Sequence, residues 1–464
     1  MTKGHARMAL ENTAPNSVSA LIDGAPFSRL QKMLVASCLV LCLIDGFNAL
    51  SVGYVLPALA EDWHVNAGNL SGVVIASTIG EILAALLVAP LADRFGRRTL
   101  IRIGVGCIAV CTLATAFSQS VEMITILRFC TGLGVGAATP NIISLSSEYA
   151  PARARATVVT TIGLGLAGGG FVAGLVAGSL IPAFGWRSVF AVGGAVALVL
   201  LVATLALLPE SITFLVARGR DRQVLGLLRR IAKDVPIGDD MRFSSDTPER
   251  RRVPIREILA GGRVWPTVLI WGVMFFGLLL NFFIYGYMPS VLTASGLSEQ
   301  TAVFATSACT LGGMIGGVVL GVIVDRTRGG YRNLVFGQLL AIIATIVLVL
   351  AAGNSLLVTI FGFLIGFGAI GTQIGANAWA ASLYPAAIRS TGVGWALGVG
   401  RVGGVLGPVI GGALLSLNMA GNTIFLLSLV PSVIVGCFAL ALARLRPKSR
   451  ISPNTTEEVL QWQK

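Results

Sequence analysis

A chain of 464 residues in which 12% of side chains are charged, 55% are apolar and 57 residues are glycine, with a mean hydropathy of +0.83, is not a water-soluble globule; soluble chains carry roughly 25% charge. The formal charge of +13, from 34 Lys and Arg against 21 Asp and Glu, does not indicate a nucleic-acid partner, because the basic residues sit in short gaps between apolar runs and not on a soluble basic patch. The composition points to an all-α membrane protein, in which each span needs about 20 apolar residues.

Twelve segments meet that requirement. Residues 1–32 come first, polar and Ser/Asn/Ala-rich, without the short apolar core and cleavage site of a signal peptide, and read as a tail. The first span, 33–57, carries Asp45, Asn48 and Tyr54, and the second, 70–91, carries Glu81. The loop after it reads Asp93-Arg94-Phe95-Gly96-Arg97-Arg98. Span three covers 100–117; span four, 123–147, carries Arg128 and runs into Glu148-Tyr149-Ala150-Pro151-Ala152-Arg153. Spans five and six cover 157–181 and 188–208. The long polar stretch 209–263 then divides the chain six plus six, and within it the periodic segment 221–233, with Leu225, Leu228 and Ile231, predicts a helix lying on the membrane surface. Span seven, 264–292, holds Asn281, Phe282 and Tyr285. Span eight covers 301–323 and is followed by Asp325; span nine covers 333–352. Span ten, 356–383, contains Gln373, Asn377 and Trp379; span eleven, 391–417, contains Trp395 and Arg401; span twelve covers 423–443, and 444–464 form a second tail.

An even number of spans puts both tails on one side. Apart from Arg128 and Arg401 within the membrane and Arg187 beyond it, the basic residues lie in or beside the segments on that side, so the positive-inside rule makes both termini cytoplasmic. The seven cysteines all fall within spans, which implies no disulfide framework, and the i,i+4 pairs Cys38/Cys42 and Cys107/Cys111 read as small apolar packing with no metal ligands beside them.

Sliding the chain by about 233 positions brings its halves into register. Pro151, Arg155 and Thr157 then fall near Pro385, Arg389 and Thr391, Asp93-Arg94 near Asp325-Arg326, and Asn48, Gly53 and Tyr54 near Asn281, Gly286 and Tyr287. The expected architecture is two pseudo-symmetric six-helix bundles, at 33–208 and 264–443, with a substrate site between them at the midplane.

The loop Asp93 to Arg98, supported by Arg128-Phe129-Cys130-Thr131-Gly132, Glu148 to Arg153 and Pro209-Glu210-Ser211, resembles the signature elements of the major facilitator superfamily. Within it, Asp45-Gly46-Phe47-Asn48 and the stretch 398–408 around Arg401 resemble the aromatic acid:proton symporter branch, whose members import benzoate-type anions. Two residues depart from the pattern: Asn48 stands where the branch usually has a second acid, and Ala89 replaces the glycine that usually opens the loop motif. The resemblance implies a twelve-helix secondary transporter of the cell inner membrane, working by alternating access and importing a small aromatic carboxylate with protons. A carrier of another organic acid, a proton-driven exporter and a non-transporting sensor are the rival readings. Gly407-Pro408 lies in span eleven, whereas the drug exporters of the superfamily carry such an element in span five, which weighs against export. No enzyme constellation, metal or cofactor is expected, and the protein reads as a monomer whose partners are its substrate, protons and lipid.

Ionisable groups at membrane depth are the strongest pointers to function, since each costs roughly 2.5–3.5 kcal/mol. Four stand out: Asp45, Glu81, Arg128 and Arg401. Their mates in the other half are Leu278, Gly313, Gly362 and Ala167, none of them charged. With histidine confined to positions 5 and 64, the switching group is a carboxylate, Asp45 first and Glu81 second, with Arg128 as the partner that tunes Asp45. Arg401 is then free to clamp a substrate carboxylate. Asn48, Tyr54, Asn281, Phe282, Tyr285, Gln373, Asn377, Trp379 and Trp395 are candidate cavity residues. Asp93 paired with Arg97, together with Arg94, Glu148, Arg153 and Asp325, forms the expected conformational gate.

Overall fold

Ser28 starts the first long helix: its hydroxyl accepts from the Gln31 amide at 3.4 Å while Gln31 Oε1 accepts from the Ser28 amide at 2.7 Å, a reciprocal cap. Helix α1 therefore runs Arg29–Asp62, beginning a turn earlier than its apolar run. In the computed structural model, residues 18–231, 255–326, 331–351, 354–384 and 388–445 are described; most of both tails, Lys233 and the Asp325 side chain lie outside them. The remaining long helices are α2 (Ser71–Leu87), α3 (Arg97–Thr115), α4 (Val121–Tyr149), α5 (Ala152–Phe184), α6 (Arg187–Leu207), α7 (Val264–Ala294), α8 (Glu299–Arg326), α9 (Tyr331–Leu350), α10 (Ser355–Leu383), α11 (Arg389–Ser416) and α12 (Leu429–Arg444). Among the described residues eleven helices are long and apolar enough to cross a membrane, and the shorter apolar stretch Leu334–Leu350 in α9 supplies the twelfth span.

The packing repeats between halves. In the first half the principal pairs are α1 with α5, α2 with α4, α3 with α4, α3 with α6 and α1 with α6; in the second they are α7 with α11, α8 with α10, α9 with α10, α9 with α12 and α7 with α12. Adding six to each helix number of the first set yields the second. Across the halves α5 packs on α8 and α11 on α2, again exchanged by the same operation, while α1 meets α7 at its centre. This is the two-bundle fold expected from the internal repeat.

Glycine sets the close approaches. Gly169 on α5 faces the Leu43 carbonyl and Phe47 amide of α1, and Gly132 on α4 faces the Ser77 carbonyl of α2, so a Cβ at either position would run into backbone. In lipid, where apolar burial gives no net drive, such close contact is a principal source of helix association. Glycines spaced by four on α5 and α11 differ in what they face: Gly174 and Gly178 look across to Ser307 and Phe304 of α8 in the other half, whereas Gly403 and Gly407 lie on Phe275 and Leu279 of α7 in their own half.

The halves are joined at the end farther from the termini. Asn66 bonds Asn418 at 3.0 Å, Ser307 donates to the Phe171 carbonyl at 3.0 Å, and Tyr54 OH lies 3.5 Å from Thr310 Oγ1. Among the described residues, no hydrogen bond or ion pair between halves lies nearer the termini than the mid-helix pair Glu81–Arg401. The halves are thus tied together at the distal end.

One expectation is corrected. The helix Asp221–Ile231 does form, but Val224, Leu225, Leu228 and Ile231 are buried in one cluster with Ile22, Leu34, Cys38, Ile212 and Leu215. Its apolar face is covered by protein, by α1 and the short helices Val18–Gly24 and Ile212–Ala217, and does not lie on lipid.

Gly169→Val should destabilise the purified protein by about 1–3 kcal/mol, through overpacking against α1 backbone, whereas Gly226→Ala, at an open position, should leave it unchanged or slightly more stable. Thermal unfolding in detergent reads both, and equal midpoints for Gly169→Val and wild type would contradict the α1–α5 contact.

Candidate functional site

Three of the four intramembrane charges converge. Glu81 on α2 and Arg401 on α11 form an ion pair across the halves at 3.7 Å, and their side chains are 32% and 42% exposed. The pair is thus only partly covered by protein where the two bundles meet. Asp45 on α1 is buried; its Oδ2 accepts from Thr139 Oγ1 of α4 at 2.8 Å and its Oδ1 has no partner. Helix α4 spaces the two acids: Gly136 makes room for the Glu81 carbonyl, and Thr139, one turn on, holds Asp45. Glu81 acts on Asp45 through space.

Arg128 is not the partner of Asp45. It is fully buried, points toward α3 and α6, and donates from Nη2 to Thr115 Oγ1 at 3.0 Å and Thr112 Oγ1 at 3.4 Å, with its guanidinium 4.9 Å from the centre of the Phe190 ring. The physical reason is distance along the helix. Asp45 engages the part of α4 around Thr139, whereas Arg128 lies eleven residues earlier, three turns toward the distal end. Asn48 is nearer to it: Thr112 Oγ1 donates to Asn48 Oδ1 at 2.5 Å, and Asn48 Nδ2 donates back to the Ile44 carbonyl at 2.9 Å.

Arg401 likewise is not free. Its counter-ion in this conformation is Glu81.

The candidate cavity residues separate into groups. Asn48 is turned into the first bundle. Tyr54 and Tyr285 belong to the distal closure, where the Tyr285 carbonyl lies against Gly53 and Tyr54 meets Thr310. Phe282 packs edge-on against Tyr285 at 6.1 Å and lies beside Gly404. Asn281 is buried with its Oδ1 unpartnered. Gln373 fills the notch at Gly277 and bonds Met274 Sδ at 3.2 Å, binding α10 to α7. Trp379 belongs to the core of the second bundle, Asn377 is exposed, and the half-exposed Trp395 stacks on Trp271 at 6.1 Å. Sequence reasoning missed Thr112, Thr115 and Thr139, the hydroxyls that hold the buried ionisable groups; their only signal was a threonine within an apolar span.

The expected gate is wired differently from its expectation. Arg97 pairs with Glu148, not with Asp93; Asp93 is exposed and makes no hydrogen bond or ion pair with the described residues. Glu148 Oε2 also accepts from Ser211 Oγ at 2.7 Å, and Glu210 Oε1 accepts from the amides of Arg98 at 3.1 Å and Ser211 at 2.9 Å. Gly96 permits this, with φ of 90° and the Glu210 carboxylate where a side chain would stand. Arg153 donates to the carbonyls of Asp23 and Ala25, docking the helix Val18–Gly24, and the Arg94 carbonyl accepts from Arg218. Asp93 extends into solvent because the short helix Ala92–Phe95 turns Ala92 inward and leaves residues 93–95 exposed.

The family model described as Major Facilitator Superfamily matches residues 38–396 and 329–464. The chain is 34% identical over 433 residues to a gallate transporter of Pseudomonas putida, covering 93% of this chain and 95% of that protein. It is 33% identical over 417 residues to the 4-hydroxybenzoate transporter PcaK of Acinetobacter baylyi, with 89% and 91% covered. Among solved structures it resembles the xylose transporter XylE from E. coli in a partially occluded inward open conformation, with a TM-score of 0.64, 19% identity, and 90% of this chain and 100% of that one covered. It also resembles a bacterial homologue of the human lysosomal transporter Spinster in an inward-facing conformation, with a TM-score of 0.68, 16% identity, and 90% and 97% covered.

The gate wiring separates two variants. Glu148→Gln removes the partner of Arg97 at a mostly buried position and should cost about 1–3 kcal/mol, whereas Asp93→Asn should change stability by less than about 0.5 kcal/mol. Thermal unfolding of both proteins in detergent measures the difference, and an Asp93→Asn effect as large as that of Glu148→Gln would contradict the pairing.

Proposed function

The chain belongs to the major facilitator superfamily, a family of transporters and not of enzymes, and from that premise we propose that it imports a small aromatic carboxylate together with protons by alternating access. The named relatives that carry gallate and 4-hydroxybenzoate support the substrate class. In this reading the protein lies in the cell inner membrane with both termini cytoplasmic, and the chain acts as a monomer.

The observation that carries the mechanism is the interhalf ion pair between Glu81 and Arg401, beside buried Asp45. An incoming carboxylate presents two oxygens to the guanidinium fork and displaces Glu81. The displaced carboxylate then stands near a second one in a low-dielectric site, where two like charges are unfavourable and a proton taken up by the pair relieves them. Substrate binding and proton binding are thereby linked, and release of both re-forms the ion pair that resets the empty carrier. Asp45, held by Thr139, is the first candidate for the proton, and Glu81 is the exchangeable partner. Phe282 and Trp395 are proposed to contact the ring, and the Arg97–Glu148 network to set the balance between conformations.

The test is uptake of labelled 4-hydroxybenzoate, gallate and a non-aromatic sugar acid into proteoliposomes, with and without an inward-directed proton gradient. Gradient-driven accumulation of the aromatic acids is expected. Asp45→Asn should abolish accumulation while substrate binding persists. Full accumulation by that variant would remove Asp45 from the coupling step, and preference for the sugar acid would overturn the substrate class. Arg401→Lys, which keeps the charge and loses the fork, should weaken binding by about tenfold or more; calorimetry on the purified protein checks it, and unchanged affinity would place the carboxylate elsewhere.

A further inference from the structure

Arg128 is a buried cation with no carboxylate beside it. Its Nη2 is satisfied by two threonine hydroxyls and one face by the Phe190 ring, yet Nε and Nη1 are buried and donate to nothing among the described residues. Asp45 bonds Thr139 on another part of α4, and Glu81 is spent on Arg401. The titratable group that acts on Arg128 through space is the Cys111 thiol, a weak acceptor whose sulfur lies 3.9 Å from that of Cys107. The side chain nearest to serving as counter-ion is Asn48, reached through the single hydroxyl of Thr112. Asn48 is neutral, and its Nδ2 is already committed to the backbone of its own helix. A guanidinium held in a low-dielectric interior with two free donors and no fixed negative charge is strongly unfavourable by itself.

We propose that this pocket between α1, α3, α4 and α6 binds a small monovalent inorganic anion of chloride size, which serves Arg128 as the counter-ion that residue 48 does not provide. Nε and Nη1 donate to the ion, Thr112 and Thr115 fix the guanidinium, and the Phe190 ring covers it. Arg128 is fully buried and makes no hydrogen bond or ion pair with Glu81 or Arg401 among the described residues, so this site is separate from the one at Arg401.

The test needs neither an aromatic acid nor a proton gradient, so it stands or falls apart from the transport reading. Thermal unfolding of the purified full-length protein is followed in detergent as chloride replaces gluconate at constant ionic strength. Wild type should show a saturable rise in Tm, on the order of a few degrees, as a ligand that binds only the folded state produces. Asn48→Asp supplies a fixed carboxylate and should lose the chloride response while being as stable without chloride as wild type is with it. Arg128→Gln should also lose the response. Chloride NMR line broadening by wild type, competed by bromide, reads binding without any variant. Absence of a chloride-specific rise and of line broadening in wild type, or a rise undiminished in Asn48→Asp, would overturn the proposal.

Discussion

The cost of an ionised group in hydrocarbon governs this molecule. Two carboxylates, Asp45 and Glu81, and two guanidinium groups, Arg128 and Arg401, stand inside the apolar runs of its helices, and their arrangement follows from what each can find as compensation. Glu81 and Arg401 find each other, but only because α2 and α11 belong to different bundles that meet at the midplane. Asp45 finds a threonine hydroxyl. An ion pair that bridges the two moving parts ties the charge state of the site to the relative position of the halves, because separating the bundles or inserting an anion has the same electrostatic consequence: one carboxylate loses its cation.

Motion of that kind requires bundles that are each stiff while their shared surface is not. Within bundles, backbone is set against backbone through glycine, as at Gly169 on Leu43 and Gly366 on Cys309, and such contacts have few alternative arrangements. Between bundles, close backbone approaches such as Gly53 on the Tyr285 carbonyl stand beside single hydroxyl and amide bonds at the distal end, such as Asn66 with Asn418 and Ser307 with the Phe171 carbonyl. The same six-helix pairing scheme appears in both halves, while all four intramembrane charges lack a charged mate at the repeat position.

The fold was largely legible in the sequence, because apolar runs of membrane length and a repeat at about half the chain length constrain architecture strongly. Glu81, Asp45 and Arg401 were legible for the same reason, an ionisable residue in an apolar run being conspicuous. The direction in which each side chain points was not. Arg128 shares a helix with the threonine that holds Asp45, but eleven residues, three turns, separate them, and only the packing shows that at its level of α4 the neighbours are α3 and α6. Glu148 as the partner of Arg97 could not be separated from Asp93 by charge alone. The helix Asp221–Ile231 has the amphipathic pattern of a membrane-surface helix, and nothing in that pattern says whether lipid or protein covers the apolar face.

The account rests on one exchange, in which a substrate carboxylate takes Arg401 from Glu81 and the freed acid pair takes up a proton. Counting protons on binding measures it directly: 4-hydroxybenzoate is added to purified protein in weakly buffered detergent solution near neutral pH, and a pH-sensitive dye reports the exchange. Net proton uptake is expected for wild type with the acid, with none for its neutral amide and a clear reduction in Glu81→Gln. Binding of the acid with no proton uptake, or uptake undiminished in Glu81→Gln, would contradict the exchange.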